Sequence, residues 1–295
     1  MMRRLRGTIV AGALLVGSAA SASQSATPIH GNSLTTVTSR DGTRIGVECA
    51  GAGPTLLFVH GGLGDRTRWT PMFPLLASRF TACAMDRRGR GTSGDAPDYN
   101  LAKEAEDIVA VVNARPGPVY VFGHSYGAVA AIEAALQTDR IAKLMLYEPP
   151  LHDPAAPNLA LATIVEDLVK QGRPGEAVVR FQSEIIKLSD QEIERLKAGP
   201  SWKTLVATIG VHPRQMRALS AYHFDPDRIR ALKVPTLLVR GEETASPYLK
   251  QSIDALRGSL PHPTVVVLER QEHNAMDSGR AALATAIINF LTTSQ

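Results

Sequence analysis

Four things are missing from this sequence, and each absence excludes a class of protein. It has no set of apolar runs that could make a multi-span membrane protein, since one crossing needs about 20 consecutive apolar residues. It has little unbalanced charge: 32 Lys and Arg face 28 Asp and Glu, while 44% of residues are hydrophobic. A disordered chain would reverse both features. No cluster of His, Cys and carboxylates has metal-ligand spacing, so neither a metal nor a cofactor is implied. No repeat or low-complexity segment interrupts the 295 residues, a length that fits one large domain or two small ones.

The residual positive charge is local. Arg3, Arg4 and Arg6 stand in the first seven residues with no acid nearby, and without them the formal net charge falls from +4 to +1. Nothing electrostatic then argues for nucleic acid as a partner. The arginines precede an apolar run from Thr8 to Ala20 and a small-residue site at Ala20-Ser21-Ala22. Charged start, short apolar middle and small-residue exit together read as a secretory signal peptide. Residues 1–22 are expected to be removed, leaving a periplasmic or secreted protein that starts near Ser23 and has no stable membrane span. An oxidising compartment permits Cys49 and Cys83 to pair, and the sequence leaves open whether they do.

The remainder alternates short aliphatic or β-branched runs with longer helical patterns. The expected strands are Leu34–Ser39, Arg44–Cys49, Thr55–Val59, Phe80–Met85, Val119–Gly123, Lys143–Tyr147, Thr236–Arg240 and Thr264–Leu268. Several are apolar on both faces, which argues for a mostly parallel sheet covered by helices on both sides. The expected helices of that layer are Leu101–Ala114, Tyr126–Leu136, Pro247–Arg257 and Arg280–Thr292. The fold class is therefore α/β. Between about His152 and Pro226 the strands stop and helical patterns follow one another: Leu159–Gln171, Gly175–Ile186, Asp190–Ala198 and Trp202–Ile209. An ordinary crossover is usually a single helix. This stretch reads as an inserted helical cap over 151–226, with the core in 31–150 and 227–295.

The chemistry concentrates at Gly123-His124-Ser125-Tyr126-Gly127, directly after one strand and before a helix. This is G-x-S-x-G in its strand–turn–helix setting: glycines at ±2 let a tight turn form, and the serine hydroxyl is pushed outward. A serine hydroxyl needs a base, and His273 follows the last strand. His30, His152, His212, His223 and His262 lack such a placement and read as surface or packing residues, and His124 is expected to point away from Ser125. Val59-His60-Gly61-Gly62 ends the third expected strand, where backbone N–H groups of Gly62 and Tyr126 could hold a developing oxyanion. His60 reads as bonding its own loop.

Strand-His-Gly-Gly, Asp86-Arg87-Arg88-Gly89-Arg90-Gly91-Thr92-Ser93-Gly94, Gly-His-Ser-Tyr-Gly and the late histidine together resemble the α/β-hydrolase superfamily over most of residues 34–293. The resemblance implies an eight-stranded, mostly parallel twisted sheet and a Ser-His-acid triad. Its substrate range is too wide to fix a substrate. The segment 86–94 reads as a packed turn below the site. Trp69, Phe73 and Tyr147 fit the pocket wall and the core equally well.

The acid departs from the pattern the resemblance implies. Family members usually carry an aspartate three residues after the glycine ending the penultimate strand, and Gly241-Glu242-Glu243-Thr244 puts a threonine there. Glu243 or Glu242 could shift into place, although a one-residue slip in extended chain reverses side-chain direction. Glu148 ends the strand Lys143–Tyr147 and precedes Pro149-Pro150. Some dehalogenases and a lactone hydrolase of the superfamily resemble this arrangement. A carboxylate closing an apolar strand needs a partner, and an imidazole N–H would serve. Glu148 is the favoured acid, with Glu243 and Glu242 as alternatives.

The expected activity is hydrolysis of a small to medium hydrophobic ester or lactone through an acyl-enzyme. The alternatives are carbon–carbon bond hydrolysis, cofactor-free haloperoxidase activity, or ligand binding without turnover. The oligomeric state cannot be read from the sequence.

Overall fold

The computed structural model describes residues 32–151, 159–186 and 188–293. The expected signal peptide, His30 and His152 lie outside them. In chain order the elements are β1 (Ser33–Thr38), β2 (Arg44–Ala50), β3 (Thr55–Val59), α1 (Phe73–Leu76), β4 (Thr81–Met85), α2 (Leu101–Asn113), β5 (Val119–His124), α3 (Tyr126–Ala135) and β6 (Ile141–Tyr147). A helical stretch follows: α4 (Leu159–Lys170), α5 (Pro174–Phe181), α6 (Asp190–Ala198), α7 (Trp202–Thr208), α8 (His212–Ser220) and α9 (Pro226–Arg230). The chain then returns through β7 (Thr236–Gly241), α10 (Pro247–Ser259), β8 (Thr264–Leu268), α11 (Ala275–Ser278) and α12 (Arg280–Thr292).

The strands form one open sheet in the order β1-β2-β4-β3-β5-β6-β7-β8. Only the β1–β2 and β2–β4 pairings are antiparallel. Alternation along each strand divides the core in two. Leu57 and Val59 join residues of α2, α3 and α10, whereas Leu56 and Phe58 join residues of α1 and α12. Side chains one residue apart point to opposite faces, so strands apolar at every position feed both layers.

Cys49 and Cys83 face one another in the antiparallel register of β2 and β4, with Cα atoms 4.1 Å apart, and form a disulfide. The question left by the sequence is thus answered by strand register. Helices α4 to α9 lie in the chain between the neighbouring strands β6 and β7, and have an apolar cluster of their own that includes Leu161, Val165, Val178, Phe181, Leu205 and Met216. Two helices there, α8 and α9, were not among the expected ones. Each begins with a proline in its first turn, which is compatible with a helix start because that N–H has no intrahelical acceptor.

Candidate active site

Ser125 sits between β5 and α3 with φ 52° and ψ −127°. A non-glycine residue there is strained by about 1–3 kcal/mol, and the strain persists only where neighbours enforce it. The neighbours are visible. Ser125 N–H donates to the carbonyl of Tyr147 at 2.8 Å, and its own carbonyl accepts from Ala128 N–H at 2.8 Å. The flanking glycines are required by contact: a Cβ on Gly123 would stand 2.5 Å from Ala128 Cα, and one on Gly127 would stand 2.4 Å from the His60 carbonyl.

Glu148 follows β6 and also has positive φ, 45°. Its side chain is 1% exposed, so each carboxylate oxygen needs partners. Oε2 accepts from His273 Nδ1 at 2.6 Å. Oε1 accepts from Gly241 N–H at 2.7 Å and from the Thr244 hydroxyl at 2.6 Å. Because a carboxylate only accepts, His273 Nδ1 carries the hydrogen and Nε2 is left for other chemistry. Thr244, standing where the acid was expected from the resemblance, thus donates to an acid on the adjacent strand.

Glu242 and Glu243 do not take that role. Both are exposed; Glu242 Oε2 accepts from Arg270 N–H, and Glu243 N–H donates to the Gln271 carbonyl. Among the described residues no hydrogen bond joins the Ser125 hydroxyl to His273. Such contacts are often long in unliganded sites and tighten around substrate. The two residues are linked through His124, whose Nε2–H donates to the His273 carbonyl at 2.9 Å and whose ring centre lies 4.5 Å from that of His273. Burial, and then His273 beside it, pushes His124 well below the usual histidine range, so it acts as a neutral prop. The Tyr147 hydroxyl bonds the Glu272 carbonyl and accepts from Ala275 N–H, which holds the His273 loop from the other side. Tyr147, Trp69 and Phe73 are all buried in the core, which decides between their two readings.

The loop after β3 is oriented from below by two guanidinium groups. Arg87 Nη1 donates to the Gly61 carbonyl at 2.8 Å and to the His60 carbonyl at 3.3 Å. In a trans peptide the C=O and N–H point oppositely, so anchoring the Gly61 carbonyl turns the Gly62 N–H away from Arg87. Arg90 Nη2 holds the Gly62 carbonyl at 3.0 Å. Tyr126 opens α3, where a backbone N–H has no intrahelical acceptor. Arg87 itself is fully buried and paired with Glu104 at 2.7 Å. Burial disfavours the charge on Glu104, but Arg87 outweighs it and lowers its pKa. His60 bonds within its loop, as expected: Nε2 accepts from Arg87 N–H at 3.1 Å, and Nδ1 lies 2.9 Å from the Gly61 carbonyl.

Asp86, Arg88 and Ser93 are likewise absorbed by the turn below. Asp86 accepts from Arg66 and Thr92, Arg88 is paired with Asp107 and Asp41, and Ser93 Oγ donates to the Asp86 carbonyl. Among the described residues, no three His, Cys, Asp or Glu side chains stand together in a way that could hold a metal ion. No helix among them is long and apolar enough to cross a membrane.

A mostly parallel sheet of this order, with a strained serine at the end of a central strand, defines a class of hydrolytic enzymes. The chain belongs to the alpha/beta hydrolase family, whose profile matches residues 56–286. It is similar to an alpha/beta hydrolase from Sphaerobacter thermophilus, with 32% identity, a TM-score of 0.77, and coverage of 88% of this chain and 100% of the other. A thermophilic esterase from Thermogutta terrifontis shares the fold at 23% identity and a TM-score of 0.72, over 88% of this chain and 98% of that one. Among curated relatives, the probable oxidoreductase EphD of Mycobacterium tuberculosis is 36% identical over 127 residues. That match covers 40% of this chain and 22% of the relative, so the chain spans about a fifth of that relative's length.

Proposed function

We propose that the protein is an exported serine hydrolase that cleaves a small to medium carboxylic ester or lactone through an acyl-enzyme. The observation that carries this reading is the 2.6 Å bond from His273 to a buried glutamate on the strand beside the serine-bearing one. Ser125 Oγ attacks the carbonyl carbon while its proton passes to His273 Nε2. The carbonyl oxygen becomes an oxyanion between the N–H groups of Gly62 and Tyr126. Glu148 steadies the imidazolium, which then gives the proton to the leaving oxygen as the C–O bond breaks. Water repeats the sequence on the acyl-serine and releases the acid.

Export is supported by the leader-like composition of residues 1–22 and by the Cys49–Cys83 disulfide, which suits an oxidising compartment. The experiment is to treat the purified protein with a fluorophosphonate probe and to assay p-nitrophenyl esters, with Ser125→Ala as control. Labelling of Ser125 and ester turnover, both lost in the control, are expected. Tight ligand binding with neither labelling nor turnover would replace the hydrolytic reading by a receptor.

A further inference from the structure

A buried cluster joins the helical insertion to the loop that carries Gly62. His212 and Gln215, one turn apart on α8, face Arg90 from the turn below. All three are buried, with His212 7% exposed. Arg90 Nη2 donates to Gln215 Oε1 at 2.5 Å. A guanidinium can only donate, so the amide of Gln215 must present its oxygen. His212 Nδ1 lies 3.1 Å from that same oxygen and must therefore carry the hydrogen. Burial, and then Arg90, pushes the His212 pKa down to about 3, so the ring is neutral at working pH. A neutral ring protonated at Nδ1 presents a lone pair at Nε2. The amide orientation is held at a cost: Gln215 Nε2 and Arg90 Nε are buried without partners.

That lone pair belongs to a ring packed against the oxyanion loop. A Cβ on Gly62 would stand 2.8 Å from His212 Cε1, the carbon between the two ring nitrogens. The Phe181 ring fixes the imidazole edge-on at 4.3 Å. Among the described residues no donor bonds His212 Nε2. Nε2 is also not one of the buried side-chain atoms that lack a partner, so it stays open to solvent, and a ligand that displaces that solvent must donate to it or leave it unpaired.

We infer that His212 Nε2 accepts a hydrogen bond from a hydroxyl or amide N–H carried by the substrate close to its scissile carbonyl, making His212 a specificity-determining residue for hydroxylated or N–H-bearing esters. This inference rests on the ester-hydrolase reading above. A site built around such a bond discriminates against the analogue lacking the donor, because the acceptor is then left unpaired.

The test measures kcat/KM for three ester pairs: methyl 2-hydroxybutyrate and methyl 3-hydroxybutyrate, each against methyl butyrate, and 2-hydroxyethyl butyrate against propyl butyrate. The wild-type protein is expected to favour at least one hydroxylated member by about tenfold or more. In His212→Phe that ratio should collapse to within about twofold of unity. Gln215→Leu frees the imidazole from its fixed tautomer and should lower the same ratio severalfold, which keeps the test open if the phenylalanine variant does not fold. Fluorophosphonate labelling of Ser125 identifies the folded variants. A ratio unchanged by both substitutions, or no preference in the wild type, overturns the assignment of His212 while leaving ester hydrolysis standing. Turnover of none of the esters, with Ser125 unlabelled, removes the ester reading and this inference with it.

Discussion

The ends of β6 and β7 lie side by side in the sheet, and they divide one task between them. At β6 the chain places Glu148, forced into a left-handed backbone conformation and bonded to His273. At β7 it places Gly241 N–H and the Thr244 hydroxyl, both donating to the other oxygen of that glutamate. One strand end supplies the charge and its neighbour supplies the donors that satisfy it. In the proposed triad the acid stands one strand over from the place the family resemblance implies, His273 stays within its reach, and the implied acid position carries a donor instead. A second carboxylate at 244 would face the first at close range and raise the cost of ionising both.

Breaking the β6 side should have the larger effect. Glu148→Gln keeps the shape but loses the charge, and ester kcat is expected to fall about 10²-fold or more in steady-state assays. Unchanged kcat in that variant, with a collapse in Glu243→Gln, would move the acid back to β7. Adding Thr244→Asp to Glu148→Gln sharpens the point: partial recovery of kcat would show that β7 can still hold the acid. Removing the β7 donor alone is milder. Thr244→Val leaves Gly241 N–H in place and forfeits one hydrogen bond to a buried carboxylate, so kcat should drop about three- to tenfold with KM changed less than about twofold.

The smallest effect at neutral pH comes from histidines that lack the partner β6 provides. His60, His124 and His212 are buried without a carboxylate, and burial first of all holds each below the usual range, His212 at about 3. Their unfolded pKa is about 6.5. Below about pH 6.5 the unfolded chain binds protons that the folded chain refuses. Their contribution to stability is therefore complete above about pH 6.5 and is lost as pH falls below it, for His212 down to about 3. The thermal midpoint should decline steadily from pH 7 to pH 4, and His212→Phe should make the dependence shallower by about 1.4 kcal/mol per pH unit. A parallel decline in both proteins would count against a neutral buried His212.

Much of the sheet was legible because its strands are short, apolar and punctuated. Thr55–Val59 and Thr264–Leu268 have the expected bounds, and the others shift by one or two residues. Ser125 was legible because two glycines and a strand–helix junction leave few other readings. Glu148 was legible as a carboxylate that closes an apolar strand. Thr244 carried no such signal: a hydroxyl that props an acid on another strand looks like any loop threonine until β6 and β7 are seen side by side. His212 was read as a surface or packing residue, and it is indeed packed, but against the loop that carries Gly62. Its spacing of three residues from Gln215 puts two polar side chains on one helix face, and that pattern was the available clue. Arg87 and Arg90 were read as parts of a structural turn; their hold on three loop carbonyls depends on side-chain reach that motif spacing does not reveal.

The bond between β2 and β4 also acts as a chemical record. It joins positions already in register on adjacent strands, and both cysteines are buried, at 7% and 0% exposure. Reductants and alkylating reagents therefore reach the pair poorly while the sheet is intact. A molecule matured under oxidising conditions should resist thiol alkylation even after denaturation, whereas one matured in a reducing cytosol should gain two labels once unfolded. A single mass spectrum of material recovered from cells can thus tell in which environment each molecule closed its sheet.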